Sequence, residues 1–389
     1  MKTLYNAVSK NNTTFKKSGL LLLLIIMISG VSQANIRRVG FFAAPVAGVD
    51  YATFAAAYGA AAAGDTILVF PGAATLTQTF TKRLVVIGPG NWLNPNSTPK
   101  GNADMQAFAG ETALSQVIFN AGSEGSIIMG FNGGNYYVAV SNITIRRNRE
   151  LTVQVAYPSI NSITNLQCLE NYRLNFTSYA ANGSTISNLN VSNNLMERFT
   201  TAAGNIYSGN ISNNVWAYDG SLSAALNGGG TTMTSATALE LGGGAYLFQN
   251  NIFASYTSAT VGSSANYFGI NGASNSVFNY NMALNSNAPQ TWNSGTGNVI
   301  TPIGNASTIF AAFPAISTTS ADARYQLHAS SPALTVGAGG TPIGMFAGTS
   351  PYKLSTIPSI PTIYQLSSPQ GNNPPGNTIQ INLSTRGNN

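Results

Sequence analysis

Apolar and polar residues alternate with a period of two through the middle of the chain, and the alternation returns at a near-fixed interval. The phrase from Ser141 to Asn148 places Ile143 and Ile145 on one side of a strand and Thr144 and Arg146 on the other. It recurs from Thr164 to Asn171 with Leu166 and Cys168, from Ser187 to Asn194 with Leu189 and Val191, and from Ser208 to Asn214 with Ile211. Looser copies close on Asn251 and Asn281, each with a Phe three residues earlier, Phe248 and Phe278. The first four closing residues, Asn148, Asn171, Asn194 and Asn214, are spaced 23, 23 and 20 apart. Period-two alternation means strands buried on one side. A short strand that returns after roughly twenty residues describes one coil of a solenoid, each coil pairing with the next at about 4.8 Å.

This register makes definite demands. Ile145, Cys168, Val191 and Ile211 face inward, whereas Thr144, Asn190 and Ser212 face water. The closing Asn is expected to take the turn, because Asn tolerates positive φ, and to stack amide on amide as a ladder along the axis. Asn142, Asn165 and Asn188, six residues before the closing positions, predict a second ladder.

Upstream, residues 50–64 read as a helix capped by Asp50 and ended by Gly64, with Phe54 and Tyr58 one turn apart. Its expected place is over the first coil, where it covers apolar cross-section and unpaired strand edges. Strands follow at residues 66–70 and 83–87, and again at 115–119 and 126–131. Residues 89–113 alternate little and read as an excursion from the coil. Residues 222–238, rich in Gly, Thr, Ser and Ala, read as an insertion, and coils run to about residue 285. The tail from Ser350 is punctuated by Pro, with a last alternating stretch at residues 378–383. The expected organisation is therefore a leader over residues 1–34, a solenoid with its cap over 35–350, and a Pro-rich extension over 351–389.

These phrases carry a resemblance. Gly64-Asp65-Thr66-Ile67, then residues 82–90 (Lys-Arg-Leu-Val-Val-Ile-Gly-Pro-Gly), then residues 122–130 (Gly-Ser-Glu-Gly-Ser-Ile-Ile-Met-Gly) are similar to the parallel β-helix proteins of the pectin-lyase-like superfamily. The stretch from Tyr325 to Ala333, followed by Gly337-Ala338-Gly339 and Ile343-Gly344-Met345-Phe346, is similar to the phrase that ends many such helices. The resemblance spans roughly residues 40–365 and is closest to secreted bacterial members without a settled activity. It implies an all-β, right-handed parallel β-helix. Fold likeness of this kind specifies architecture far better than activity.

Composition changes the picture at one point. The chain of 389 residues is 44% hydrophobic and only 7% charged, with a formal net charge of +6. Lys2, Lys10, Lys16 and Lys17 all precede the apolar run from Leu20 to Ile28, and that run ends at Ser32-Gln33-Ala34, with small residues where a signal peptidase reads. The run is about half the length a membrane span needs. Without the leader the chain is nearly neutral, which removes the electrostatic case for nucleic acid. The expectation is an exported protein, secreted or at the cell surface, with the periplasm also open and no integral membrane segment after cleavage.

Candidate chemistry is sparse. The superfamily's polysaccharide-cleaving enzymes imply carboxylates, often with calcium, and a Lys or Arg base; this sequence has no adjacent Asp pair, and only Lys82, Lys100 and Lys353 beyond the leader. His328, the only His, lies in the terminal phrase, and Cys168, the only Cys, lies in the inward column. No cofactor and no metal site is expected, calcium entering only with a lyase. The exception is a run holding both signs of charge. Arg147 stacks on Glu170 and Glu150 on Arg173 one coil apart, and Glu197 and Arg198 follow. Those six residues are the candidate binding patch, read either as ion pairs on a solvated face or as a cleft for an acidic saccharide. A second candidate is the outward-facing members of a set of aromatics, which could stack on sugar rings: Tyr207, Trp216, Tyr218, Tyr246, Tyr256, Tyr267, Tyr280 and Trp292, of which Tyr246 falls in an inward column and several others are expected in the core. The functional expectation is a non-catalytic β-helix that binds polysaccharide or serves as an adhesive or structural element. The alternative is a polysaccharide lyase or glycoside hydrolase.

Overall fold

A computed structural model describes residues 34–40, 45–72, 76–93, 110–155, 162–178, 184–201, 206–218, 239–241, 244–255, 275–284, 295–301, 306–312, 320–367 and 382–387. The leader, the 222–238 insertion, Lys100, Tyr256, Tyr267 and Trp292 lie outside these residues. From Ile36 onward the chain is one compact unit. No helix among the described residues is long and apolar enough to cross a membrane.

Two long sheets, all their ladders parallel, make up that unit, and consecutive strands alternate between them. The first sheet stacks Thr66–Val69, Val85–Ile87, Ile127–Met129, Thr144–Arg146, Gln167–Leu169, Thr185–Ser192, Ile206–Ser212, Ala245–Gln249 and Val277–Asn279. The second stacks the strands that follow each of these, among them Arg149–Val155, Tyr172–Ser178, Leu195–Thr201, Val215–Tyr218, Ile252–Ser255 and Met282–Leu284. A chain that visits the same two sheets in turn, always in the same direction, builds a solenoid-like fold. The predicted inward column is continuous in register, running Ile67, Val86, Ile128, Ile145, Cys168, Val191, Ile211, Phe248, Phe278. Each member is at most 1% exposed. The second sheet contributes a matching column of Val117, Tyr136, Val153, Phe176 and Phe199.

Three local expectations need correction. The helix runs only from Phe54 to Ala60, with Thr53 as its N-cap, the side chain accepting from the Ala56 N–H. Asp50 cannot cap it, because its carboxylate pairs with Arg38 at 2.6 Å and accepts from the Val46 N–H. Gly64, at φ 98°, serves instead the turn into the first strand, where its N–H meets the Arg83 carbonyl. Phe54 and Ala57 bury the inner face of the helix, and Phe54 stacks 6.1 Å from Phe80. Ser212 is 8% exposed rather than open to water, whereas Thr144 and Asn190 are half-buried on the outward side. The last strand is Asn382–Arg386, and it pairs antiparallel with Thr362–Ser367 instead of extending a coil.

Candidate functional site

The corner at which each coil passes from the first sheet to the second holds the repeated Asn. Asn148, Asn171, Asn194, Asn214, Asn251 and Asn281 are fully buried. In each, both the backbone N–H and the side-chain amide donate to the Oδ1 of the Asn one coil on; for Asn194 to Asn214 the distances are 2.9 and 3.0 Å. The amide's second hydrogen goes back to the previous coil, as from Asn194 to the Cys168 carbonyl at 2.9 Å. Asn298, which the repeat phrase did not reveal, receives the last pair from Asn281. The outer column Asn142, Asn165, Asn188 also forms its ladder, Asn165 donating to Asn142 at 2.8 Å and Asn188 to Asn165.

Positive φ falls elsewhere than expected. The closing Asn has ordinary backbone geometry, and the residue before it turns left-handed: Arg147, Glu170, Asn193, Asn213, Asn250 and Tyr280 have φ between 53° and 58°. This turn swings those side chains outward over the corner. Arg147 and Glu170 accept the conformation despite the steric cost of Cβ, which is about 1–2 kcal/mol per residue.

What covers the corner explains the fate of the charged run. Between Ile343 and Pro358 the chain travels back along the stack as a strap. The Gly344 N–H donates to the Asn250 carbonyl at 2.9 Å, and the Asn193 amide donates to the Met345 and Ala347 carbonyls at 3.0 and 2.6 Å. Ser350 Oγ donates to Glu170 at 3.1 Å, Arg147 donates to the Ile357 carbonyl at 3.0 Å, and Asn91 meets Ser355 and Thr356. From Asn171 on, the residue after each closing Asn forms an outward apolar column of Tyr172, Leu195, Val215, Ile252 and Met282, while Arg149 follows Asn148. Ile343, Met345 and Tyr352 of the strap pack with that column in an apolar cluster outside the main core.

Arg147 and Glu170 therefore form no solvated pair. Their side chains are 0% exposed and 2.6 Å apart, with Arg146 reaching the other carboxylate oxygen. Burial lowers the Arg147 pKa, opposed by the Glu170 charge. The remaining charges form a second, partly exposed ladder along the start of the second sheet. Glu150 and Arg173 have φ of 52° and 57° and drop out of the strand pairing between Arg149↔Tyr172 and Leu151↔Leu174. The next coil shifts register at the same place, leaving Glu197 unpaired in the ladder of strands. Such irregularities re-aim side chains. Arg173 bonds Glu150 at 3.1 Å and Glu197, while Arg149 bonds Glu150 at 3.1 Å and Glu111 at 3.0 Å. Arg198 faces outward in register with Asn175. Two participants come from the ends of the 89–113 excursion: Glu111, and Trp92, whose ring lies 4.7 Å under the Arg149 guanidinium. Neither was singled out from sequence, since nothing in the local pattern ties that excursion to a coil.

Burial raises the Glu197 pKa although Arg173 pulls it down. Substituting Arg173 by Ala removes that opposition, so the Glu197 pKa rises further. The folded state then holds its proton to higher pH than the unfolded chain, where a Glu titrates near about 4.3. The variant is expected to lose stability relative to the parent as pH rises from about 4 to 7, by about 1 kcal/mol for a pair that water partly reaches. Thermal melts at the two ends of that range check it.

The other candidates sort clearly. Tyr207, Trp216 and Tyr246 are at most 2% exposed and belong to the core, so they are not stacking platforms. Tyr280 is half-buried at the corner, and the Tyr218 side chain lies outside the described residues. The Cys168 thiol is buried in the inward column, which pushes its pKa up and leaves no thiolate for chemistry. The His328 ring shares a 2.8 Å hydrogen bond with Ser330 in its own turn. Lys82 donates to the Ala61 carbonyl at 2.6 Å, and Lys353 lies on the strap. Among the described residues no group of three or more His, Cys, Asp or Glu side chains is arranged to hold a metal ion. No protein family, no curated protein and no solved structure matches this chain.

Proposed function

We propose that this chain is an exported, right-handed parallel β-helix of the pectin-lyase-like type, that its short helix caps the first coil, and that it works without catalysis, binding polysaccharide as a surface or adhesive element. The observation that carries this reading is the neutralisation of the outward carboxylates on the charged ladder: Glu111, Glu150 and Glu197 are each engaged by Arg149 or Arg173. A carboxylate held this way by a guanidinium can engage a substrate only by giving up that charge-assisted bond. One outward column of the second sheet beside the ladder bears hydroxyl or amide groups, Thr77, Gln116, Asn135, Thr152 and Asn175 in one register, before it reaches Arg198. Side chains that both donate and accept match the hydroxyls of a glycan.

The test is a polysaccharide panel with two readouts, retention of the protein and release of new reducing ends or unsaturated uronates. Binding without product supports the proposal. Product from any member overturns it in favour of a lyase or hydrolase, and absence of both binding and product removes the carbohydrate partner. If the bound glycan is acidic, affinity falls with added salt and drops in an Arg173→Ala variant, because the attraction is then carried by exposed charge.

A further inference from the structure

We infer that the strap is a conformational clamp which makes the whole stack of coils open and close as one unit. In a solenoid each coil touches only its neighbours, so a stack held by coil-to-coil contacts alone loosens from its ends, and protection against exchange grades along the chain. Here one segment spans the stack. Asn91, before the third strand of the first sheet, is bonded to Thr356, 265 residues on, and Arg147 to Ile357 across 210. Glu170 is held by Ser350 across 180, Asn193 by Met345 across 152, and Asn250 receives the Gly344 N–H.

Most rungs that hold the strap engage its backbone. The left-handed Arg147 and Asn193 direct their side chains to strap carbonyls, the Asn250 backbone carbonyl accepts the Gly344 N–H, and Glu170 accepts from the Ser350 hydroxyl. Between these rungs, Met345 and Tyr352 seat in the outward apolar column and are at most 3% exposed. Removing the strap from any one coil thus uncovers buried polar groups on the next, and local fraying becomes costly everywhere along its length. Large apolar side chains are exposed at both ends, Ile36 and Val46 at one and Val277, Val299 and Ile300 at the other, but the strap's hydrogen bonds reach only from Asn91 to Asn250, which makes the last coils the end that frays first when the clamp is weakened.

Hydrogen exchange by mass spectrometry on the full chain tests this. In the parent, the slowest amides of Val85–Ile87, Gln167–Leu169 and Val277–Asn279 are expected to exchange at rates within about threefold of one another, because all require the same opening. Asn193→Ala deletes two mid-strap bonds, and Met345→Glu forces a charge under the strap. In either variant the last strand is expected to exchange at least about tenfold faster than the first. Should Met345→Glu fail to fold, Asn193→Ala decides alone. A parent already graded along the stack overturns the clamp. So does a variant in which all three strands accelerate by the same factor, since the coupling would then reside in the coils themselves.

Discussion

Replacing Glu170 with Ala is expected to cost about 3–5 kcal/mol of folding stability, the range found when one partner of a buried ion pair is removed. Its carboxylate accepts from Arg147 on one oxygen and from Arg146 and Ser350 on the other, with the Arg147 side chain fully buried. The guanidinium keeps its proton, because even a lowered arginine pKa leaves it charged near neutrality. It would remain beneath the strap with the Ile357 carbonyl as a partner but without its neutralising charge. The paired substitution Arg147→Met with Glu170→Leu separates this cost from the value of the pair, since well-packed apolar replacements of buried ion pairs are often neutral or stabilising. Urea unfolding of the three proteins gives the answer. A Glu170→Ala variant within about 1 kcal/mol of the parent would mean that the pair is hydrated like a surface one.

That result also marks where sequence reasoning stopped. The repeat phrase was enough to place Ile145, Cys168, Val191 and Ile211 inward and to stack Arg147 on Glu170, because these are consequences of period and register. The apolar columns follow from alternation, and the two Asn ladders from recurrence, so each needs only neighbouring coils. Exposure of the charged run needed something else. It depends on a segment lying about two hundred residues downstream, whose docking leaves no periodic trace. The one available signal was the column after the closing Asn from Asn171 on, Tyr172, Leu195, Val215, Ile252 and Met282, which is apolar at an outward position and so demands a cover. The helix cap failed for a similar reason, since Asp50 was claimed by Arg38, a residue of another strand. For the binding patch, sequence register linked Glu150 to Arg173. It could not add Glu111 and Trp92, which join through the 89–113 excursion.

The ladder itself makes the sharpest demand on a single uncharged residue. Asn194 accepts from the N–H and the amide of Asn171 at 2.8 and 3.0 Å, and it donates to the Asn214 Oδ1 and to the Cys168 carbonyl. Asn194→Ala leaves its own N–H bonded to Asn214 but strips two donors on Asn171, one acceptor on Cys168, and an acceptor bond on Asn214, all inside the corner and away from water. Each buried group left without a partner costs about 1–3 kcal/mol, so a total of at least about 3 kcal/mol is expected even if water enters the space vacated by the amide. Asn190→Ala is the control. Asn190 lies in the strand that leads into this corner and also makes an amide bond across coils, to Gln167 at 2.8 Å, but from the half-buried outward side. Its loss is expected to cost about 1 kcal/mol or less, because water replaces the partner. Chemical denaturation of both variants measures the difference. Equal destabilisation would show that the corner is wet, and that coil-to-coil backbone pairing, rather than the buried amide column, fixes the register of the stack.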